Sequence, residues 1–268
     1  MFIQLFAKSL WNNLSEETHK INSQIFSRFF VSTFSRFMIS PYCFIYGISD
    51  EYLNYFCPES ESLKYANFGD FFKRKLKALP DNKAELIWPC EGYVCDWGLF
   101  REKMITTVKG QKISPQSVFQ SATAIPGDYF FTNIFLHNHN YHRIHSPISG
   151  RITDIKRISG SLTFLRPWFY RKDEVSSPAL KNERLNVEIL DEENRTWHIS
   201  MVGGFGVGTI KLSDSIVLNA KVNRGEELGW FELGSTVCMA SPIAIKIEKY
   251  LQPIRVGTAI QLMDHANP

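Results

Sequence analysis

The sequence predicts an α+β protein, with an N-terminal amphipathic helical segment (residues 1–78) followed by a β-rich domain (79–268). Two patterns carry that reading. Apolar residues recur at spacings of three and four through the first fifty positions. From about residue 84 onward short β segments alternate with glycine and proline.

In the first segment Ile3, Phe6, Leu10 and Leu14 share one helix face, and Phe26, Phe30, Phe34 and Phe37 share another. Lys8, Lys20, Arg28 and Arg36 punctuate the region, opposed by Glu16 and Glu17. A membrane-spanning helix needs about 20 apolar residues. The nearest candidate, 37–48, is interrupted by Pro41, and no signal-peptide layout is present. Two readings fit these helices. They lie on anionic lipid with phenylalanines inserted and basic groups at the head groups, or they pack against the following domain.

Strands are expected over 129–136, 150–158, 185–190, 196–202, 216–222 and 243–247, the last with Ile243, Ile245 and Ile247 on one face. The stretch 202–208, Val-Gly-Gly-Phe-Gly-Val-Gly, lacks the spacing of a phosphate-binding loop. It reads as a glycine-rich strand pair.

At 268 residues and 44% hydrophobic content the chain is long enough for a full core. A net charge of +3 gives no basis for nucleic-acid binding. The five cysteines are odd in number and lack Cys-x-x-Cys spacing, which indicates neither a disulfide framework nor a zinc site and suits a reducing, cytoplasmic-side setting.

The most informative stretch is Leu233-Gly234-Ser235-Thr236. A serine after glycine can attack the carbonyl behind it, because glycine has no Cβ to obstruct the approach. The amide becomes an ester. Elimination of that ester, in place of hydrolysis, would carry Ser235 through dehydroalanine and an imine to a pyruvoyl group, an electron sink made from the chain itself. Such a serine needs a base. His137, His139, His142 and His145 lie within nine positions, but no cysteine or acidic residue interleaves them, so no metal is expected there. A short turn would aim His142 and His145 at one cavity.

Four stretches together resemble the phosphatidylserine decarboxylase family. Tyr141-His142-Arg143-Ile144-His145, with Ser146-Pro147 and Gly150, is similar to its Tyr-His-Arg-x-His-x-Pro-x-x-Gly motif. The block from Arg224 to Thr236 is similar to its Lys-Gly-x-Glu-x-Gly-x-Phe-x-Leu-Gly-Ser-Thr motif, and Phe68–Leu76 and Asn182–Leu185 match two further segments. The resemblance implies a pyruvoyl-dependent carboxy-lyase that cleaves itself between Gly234 and Ser235, leaving a small chain 235–268. It would convert phosphatidylserine to phosphatidylethanolamine as a peripheral membrane enzyme on the cytoplasmic side. It also implies roles. Ser235 becomes the pyruvoyl group that forms a Schiff base with substrate, His145 is the base for self-cleavage, and His142 serves as the acid in decarboxylation. The family orients its base with the aspartate of a Pro-x-Asp-Gly motif, and here Glu91 of Pro89-Cys90-Glu91-Gly92 stands in that place.

The segment 160–170 departs from the family's pattern and is rich in aromatics. Arg166 and Trp168 would bind substrate there if it forms a lip toward lipid phosphate and tails. A buried hairpin, or a contact in a homodimer, fits as well. Two alternatives follow from the departures: a decarboxylase of a soluble amino acid, or a non-cleaving membrane-binding homologue.

Overall fold

The computed structural model describes residues 28–60, 62–80, 83–102, 105–106, 112–160, 182–204, 210–232 and 235–263. Its first part is helical and short-stranded. Residues 28–30 are helical, a 3-10 helix spans Thr33–Met38, and α1 spans Ile39–Tyr46. Pro41 sits in the first turn of α1, where a missing N–H costs nothing, and Gly47 closes the helix at φ 64. Helices α2 (Asp50–Leu53) and α3 (Phe68–Phe72) are capped by Ser49 and Asn67, whose side chains accept from Tyr52 N–H and Asp70 N–H. Strands β1 (Phe56–Cys57) and β2 (Lys75–Leu76) pair between them.

The expected helix face running from Phe26 to Phe37 is not continuous. Phe26, like Ile3, Phe6, Leu10 and Leu14, lies outside the described residues. Beyond it the helical residues 28–30 give way to a turn, where the Ser32 hydroxyl and N–H both bond back to the Phe29 carbonyl. Phe30 turns inward onto Phe68, with ring centroids 4.9 Å apart, while Phe34 and Phe37 face outward.

The remaining elements are β3 (Gly92–Leu99), β4 (Ile105–Thr106), β5 (Lys112–Ile113), α4 (Gln116–Phe119), β6 (Phe130–Leu136), β7 (Arg143–His145), β8 (Gly150–Ile158), β9 (Arg184–Leu190), β10 (Thr196–Gly203), β11 (Ile210–Leu212), β12 (Lys221–Val222), β13 (Glu227–Phe231), β14 (Ser235–Ser241) and β15 (Gln252–Ile254). An antiparallel sheet of eight strands runs β12-β8-β9-β10-β14-β6-β3-β15, and a second of three runs β11-β13-β7. The main core lies between them. Ile134, Leu136, Val237 and Met239 from the large sheet meet Ile144, Ile210, Leu228 and Phe231 from the small one.

The strands expected at 129–136, 150–158, 185–190 and 196–202 are present as β6, β8, β9 and β10. The one expected over 216–222 shrinks to β12, because the chain turns at Asn219, at φ 67, and its N–H reaches back to the Ile152 carbonyl. No strand forms over 243–247. Ile245 makes one isolated bridge to Leu262, although all three isoleucines pack on the main core. Of the glycine-rich stretch, 205–208 lies outside the described residues.

Two glycines are demanded by close packing or turn geometry near the histidine motif. A Cβ on Gly92 would stand 2.5 Å from the Phe135 carbonyl oxygen. Gly225 has φ +84, a left-handed turn that aims its carbonyl at His145.

Candidate active site

Ser235 is the first residue of β14, the central strand of the large sheet, all seven of whose residues are buried. It pairs with Leu136 of β6 on one side and Gly203 of β10 on the other. Directly opposed residues share a sheet face, so Ser235 sits on the face that Leu136 contributes to the main core. Its Oγ is fully buried and, among the described residues, has no hydrogen-bond partner. Gly234 and Leu233 lie outside the described residues, as do Arg166 and Trp168.

The histidine motif enters from the other sheet. β13 pairs antiparallel with β7 from Glu227 opposite His145 to Trp230 opposite Arg143, and the Phe231 N–H then donates to the His142 carbonyl at 3.0 Å. Four positions after Phe231 comes Ser235. The register puts His142 beside Phe231, just before β7 begins, and His145 at the opposite end of that strand. Arg143 locks this sheet to the helical part: it binds both oxygens of Glu227 at 2.7 and 2.9 Å, Glu59 at 3.1 Å and the Lys73 carbonyl at 2.8 Å.

Each histidine ring has a defined hydrogen-bond pattern. His145 Nδ1–H donates to the Gly225 carbonyl at 2.8 Å, which leaves Nε2 as the acceptor of the Tyr141 hydroxyl at 3.0 Å. His142 Nδ1–H donates to the Asn140 carbonyl at 2.8 Å, and its Nε2 is buried without a hydrogen-bond partner among the described residues. Phe72 covers the His142 ring at 4.1 Å. Burial drives both rings neutral: it pushes His145 below its ordinary value and His142 down to about 3, the latter helped by the Arg74 charge. A neutral imidazole with Nδ1–H engaged is a base at Nε2.

The structure does not bring Glu91 to His145. Glu91 Oε1 accepts from the Tyr52 hydroxyl at 2.9 Å and from Asn140 Nδ2 at 2.8 Å. Burial raises its pKa against the effect of these bonds and of Arg74 and Arg255. Sequence reasoning missed Tyr52, Asn140, Arg74 and Gly225, the groups that hold the histidine motif. The Arg74 guanidinium donates to the carbonyls of His139 and Asn140 at 2.8 and 3.0 Å. Beside them a cavity of about 300 Å³ opens between α1, α2 and the sheet edge, lined in part by Tyr52, Glu91, Tyr93, His139, Asn140 and Arg255. Among the described residues no group of three or more His, Cys, Asp or Glu could hold a metal ion.

These depressed pKa values set an acid limit to stability. The unfolded chain takes up protons at histidine near 6.5, while folded His142, His145 and His139 resist them, so the unfolded state gains protons first and stability falls as pH drops. Glu91 and Glu232, with folded pKa values raised by burial, oppose this over the window above 4.5, but they are two groups against three. Each histidine contributes up to about 1.4 kcal/mol per pH unit within its window. The melting temperature is expected to fall steadily from about pH 7 to about pH 5; a flat profile in calorimetry would contradict the buried neutral rings.

Comparison with known proteins converges on one family. The family model described as phosphatidylserine decarboxylase matches residues 65–261. The chain is 29% identical to a phosphatidylserine decarboxylase proenzyme of Chromobacterium violaceum, over 75% of this chain and 80% of that protein. It is 28% identical to proteins of the same name from Francisella tularensis subspecies holarctica and novicida, over 74% of this chain and 77% of each.

Proposed function

The chain belongs to the phosphatidylserine decarboxylase family, and on that premise we propose that it cleaves itself between Gly234 and Ser235 and decarboxylates phosphatidylserine to phosphatidylethanolamine at a membrane surface. The observation that carries this is Ser235 itself: a buried hydroxyl at the head of a central strand, with no hydrogen bond among the described residues. An orphaned buried hydroxyl is a standing cost unless it has a task.

That hydroxyl fits the pyruvoyl group the family implies, since it follows glycine directly and is fully buried. The group, once made, supplies a ketone that takes up the electron pair left by departing carbon dioxide. The protein's own residues do the rest. In our assignment His145 takes the Ser235 proton during self-cleavage, which requires the Tyr141 hydroxyl to give up Nε2. His142 handles the proton in decarboxylation. A bound carboxylate would raise its pKa from the low value that burial imposes and so favour the protonated ring that the product carbon needs.

The helical part supports a lipid substrate. Phe34, Phe37, Phe44 and Ile45 project outward, Phe44 with 88% of its surface exposed, and Arg28 and Arg36 are exposed beside them. Among the described residues no helix is long and apolar enough to cross a membrane. This surface suits a helix pair lying on anionic lipid. Inserting one phenylalanine is worth up to about 1.5–3 kcal/mol. The double substitution Phe37→Ser, Phe44→Ser is expected to weaken binding to phosphatidylserine vesicles at least about tenfold with little change in folding stability. Carbon dioxide release from such vesicles, set against release from free serine, tests the substrate. Turnover of the free amino acid alone would favour the soluble-substrate reading.

A further inference from the structure

We infer that Glu91 is a positioning residue for His142, acting through Asn140, and not the partner of His145. The inference rests on the decarboxylase reading for what His142 does, and on hydrogen bonds alone for how it is held.

Asn140 is the hub. It is 4% exposed, and each of its polar groups has a distinct task. Its Nδ2 donates to Glu91 Oε1 at 2.8 Å, and its Oδ1 accepts the His137 N–H at 2.7 Å, closing the turn that follows β6. Its carbonyl accepts His142 Nδ1–H at 2.8 Å and the Arg74 guanidinium at 3.0 Å. Fixing the Asn140 side chain therefore fixes the carbonyl that sets the His142 tautomer and leaves Nε2 open. Glu91 does this fixing from the head of β3, with its second bond, from the Tyr52 hydroxyl, tying α2 into the same array.

The additional methylene of glutamate acquires a purpose here. An aspartate on the same backbone would fall short of Tyr52 and Asn140 by roughly one carbon–carbon bond, and a hydrogen bond stretched by that much is lost. His145 meanwhile needs no carboxylate to set its tautomer, because the Gly225 carbonyl does so at 2.8 Å.

What Glu91 supplies in this scheme is an acceptor oxygen, which glutamine also has. This separates the two possible roles. In Glu91→Gln, self-cleavage and decarboxylation are expected to stay within roughly threefold of the parent, since the amide oxygen still accepts from Tyr52 and Asn140. In Glu91→Ala, self-cleavage is expected to proceed while kcat for decarboxylation falls on the order of a hundredfold, as an imidazole displaced by about an ångström would give. Asn140→Asp, which keeps the acceptor for His137 and loses the donor to Glu91, should behave like Glu91→Ala.

A readout independent of activity uses the uncleavable Ser235→Ala background. The Nδ1–H proton resonance of His142 should persist with Glu91→Gln and broaden or vanish with Glu91→Ala or Asn140→Asp. This signal remains readable even if the decarboxylase reading fails. The inference is overturned if Glu91→Gln stalls self-cleavage, by on the order of 10⁴-fold as loss of an orienting carboxylate does. It is equally overturned if the His142 resonance ignores both disruptive variants.

Discussion

Replacing Ser235 by alanine is expected to yield one intact chain with no decarboxylase activity, because the variant lacks the oxygen that attacks Gly234 and the atom that becomes the ketone. The loss should be complete. The fold should not suffer. Ser235 lies at 0% exposure and its Oγ makes no hydrogen bond among the described residues, so removing it relieves a desolvation penalty. Unprocessed Ser235→Ala should therefore be as stable as the unprocessed parent, or more stable by about 1 kcal/mol. Ser235→Cys, which retains a nucleophile, should cleave at an altered rate. A Ser235→Ala protein that still appears as two fragments would remove the chemistry proposed for this site.

The second large effect divides the two histidines. His145→Ala is expected to slow self-cleavage by about 10²–10⁴-fold, the usual contribution of a positioned general base. His142→Ala is expected to cleave and then decarboxylate slowly, by a similar factor. The structure makes the contest close. His145 must first displace the Tyr141 hydroxyl, whereas His142 Nε2 has no hydrogen-bond partner among the described residues. Tyr141→Phe frees His145 Nε2 and should leave self-cleavage as fast or faster. If His142→Ala blocks cleavage while His145→Ala does not, the proton goes to His142 and the assignment reverses.

The local patterns were legible in the sequence. Strands β6, β8, β9 and β10 follow runs of β-branched and aromatic residues between turns. Ser235, His142 and His145 stand out as candidates through motif spacing. β14 was not legible, because a strand buried on both faces shows no alternation: Ser-Thr-Val-Cys-Met-Ala-Ser reads as nothing in particular. The Phe26–Phe37 periodicity misled for the opposite reason, since a local serine bond ends the helix that the spacing extends. What holds the site was hidden by distance. Glu91 finds Tyr52 39 positions earlier and Asn140 49 positions later, and His145 finds a backbone carbonyl 80 positions away. A motif names the side chains that react; it carries no record of the carbonyls and amides that aim them.

The account stands or falls on whether this polypeptide makes its own ketone. Intact-mass measurement of freshly purified protein, before and after borohydride reduction, asks that directly. The expected result is two chains, 1–234 and 235–268, the smaller blocked at its N-terminus by a carbonyl that gains two hydrogens on reduction. A single species with the mass of the full 268-residue chain, unchanged on incubation and untouched by borohydride, would contradict it.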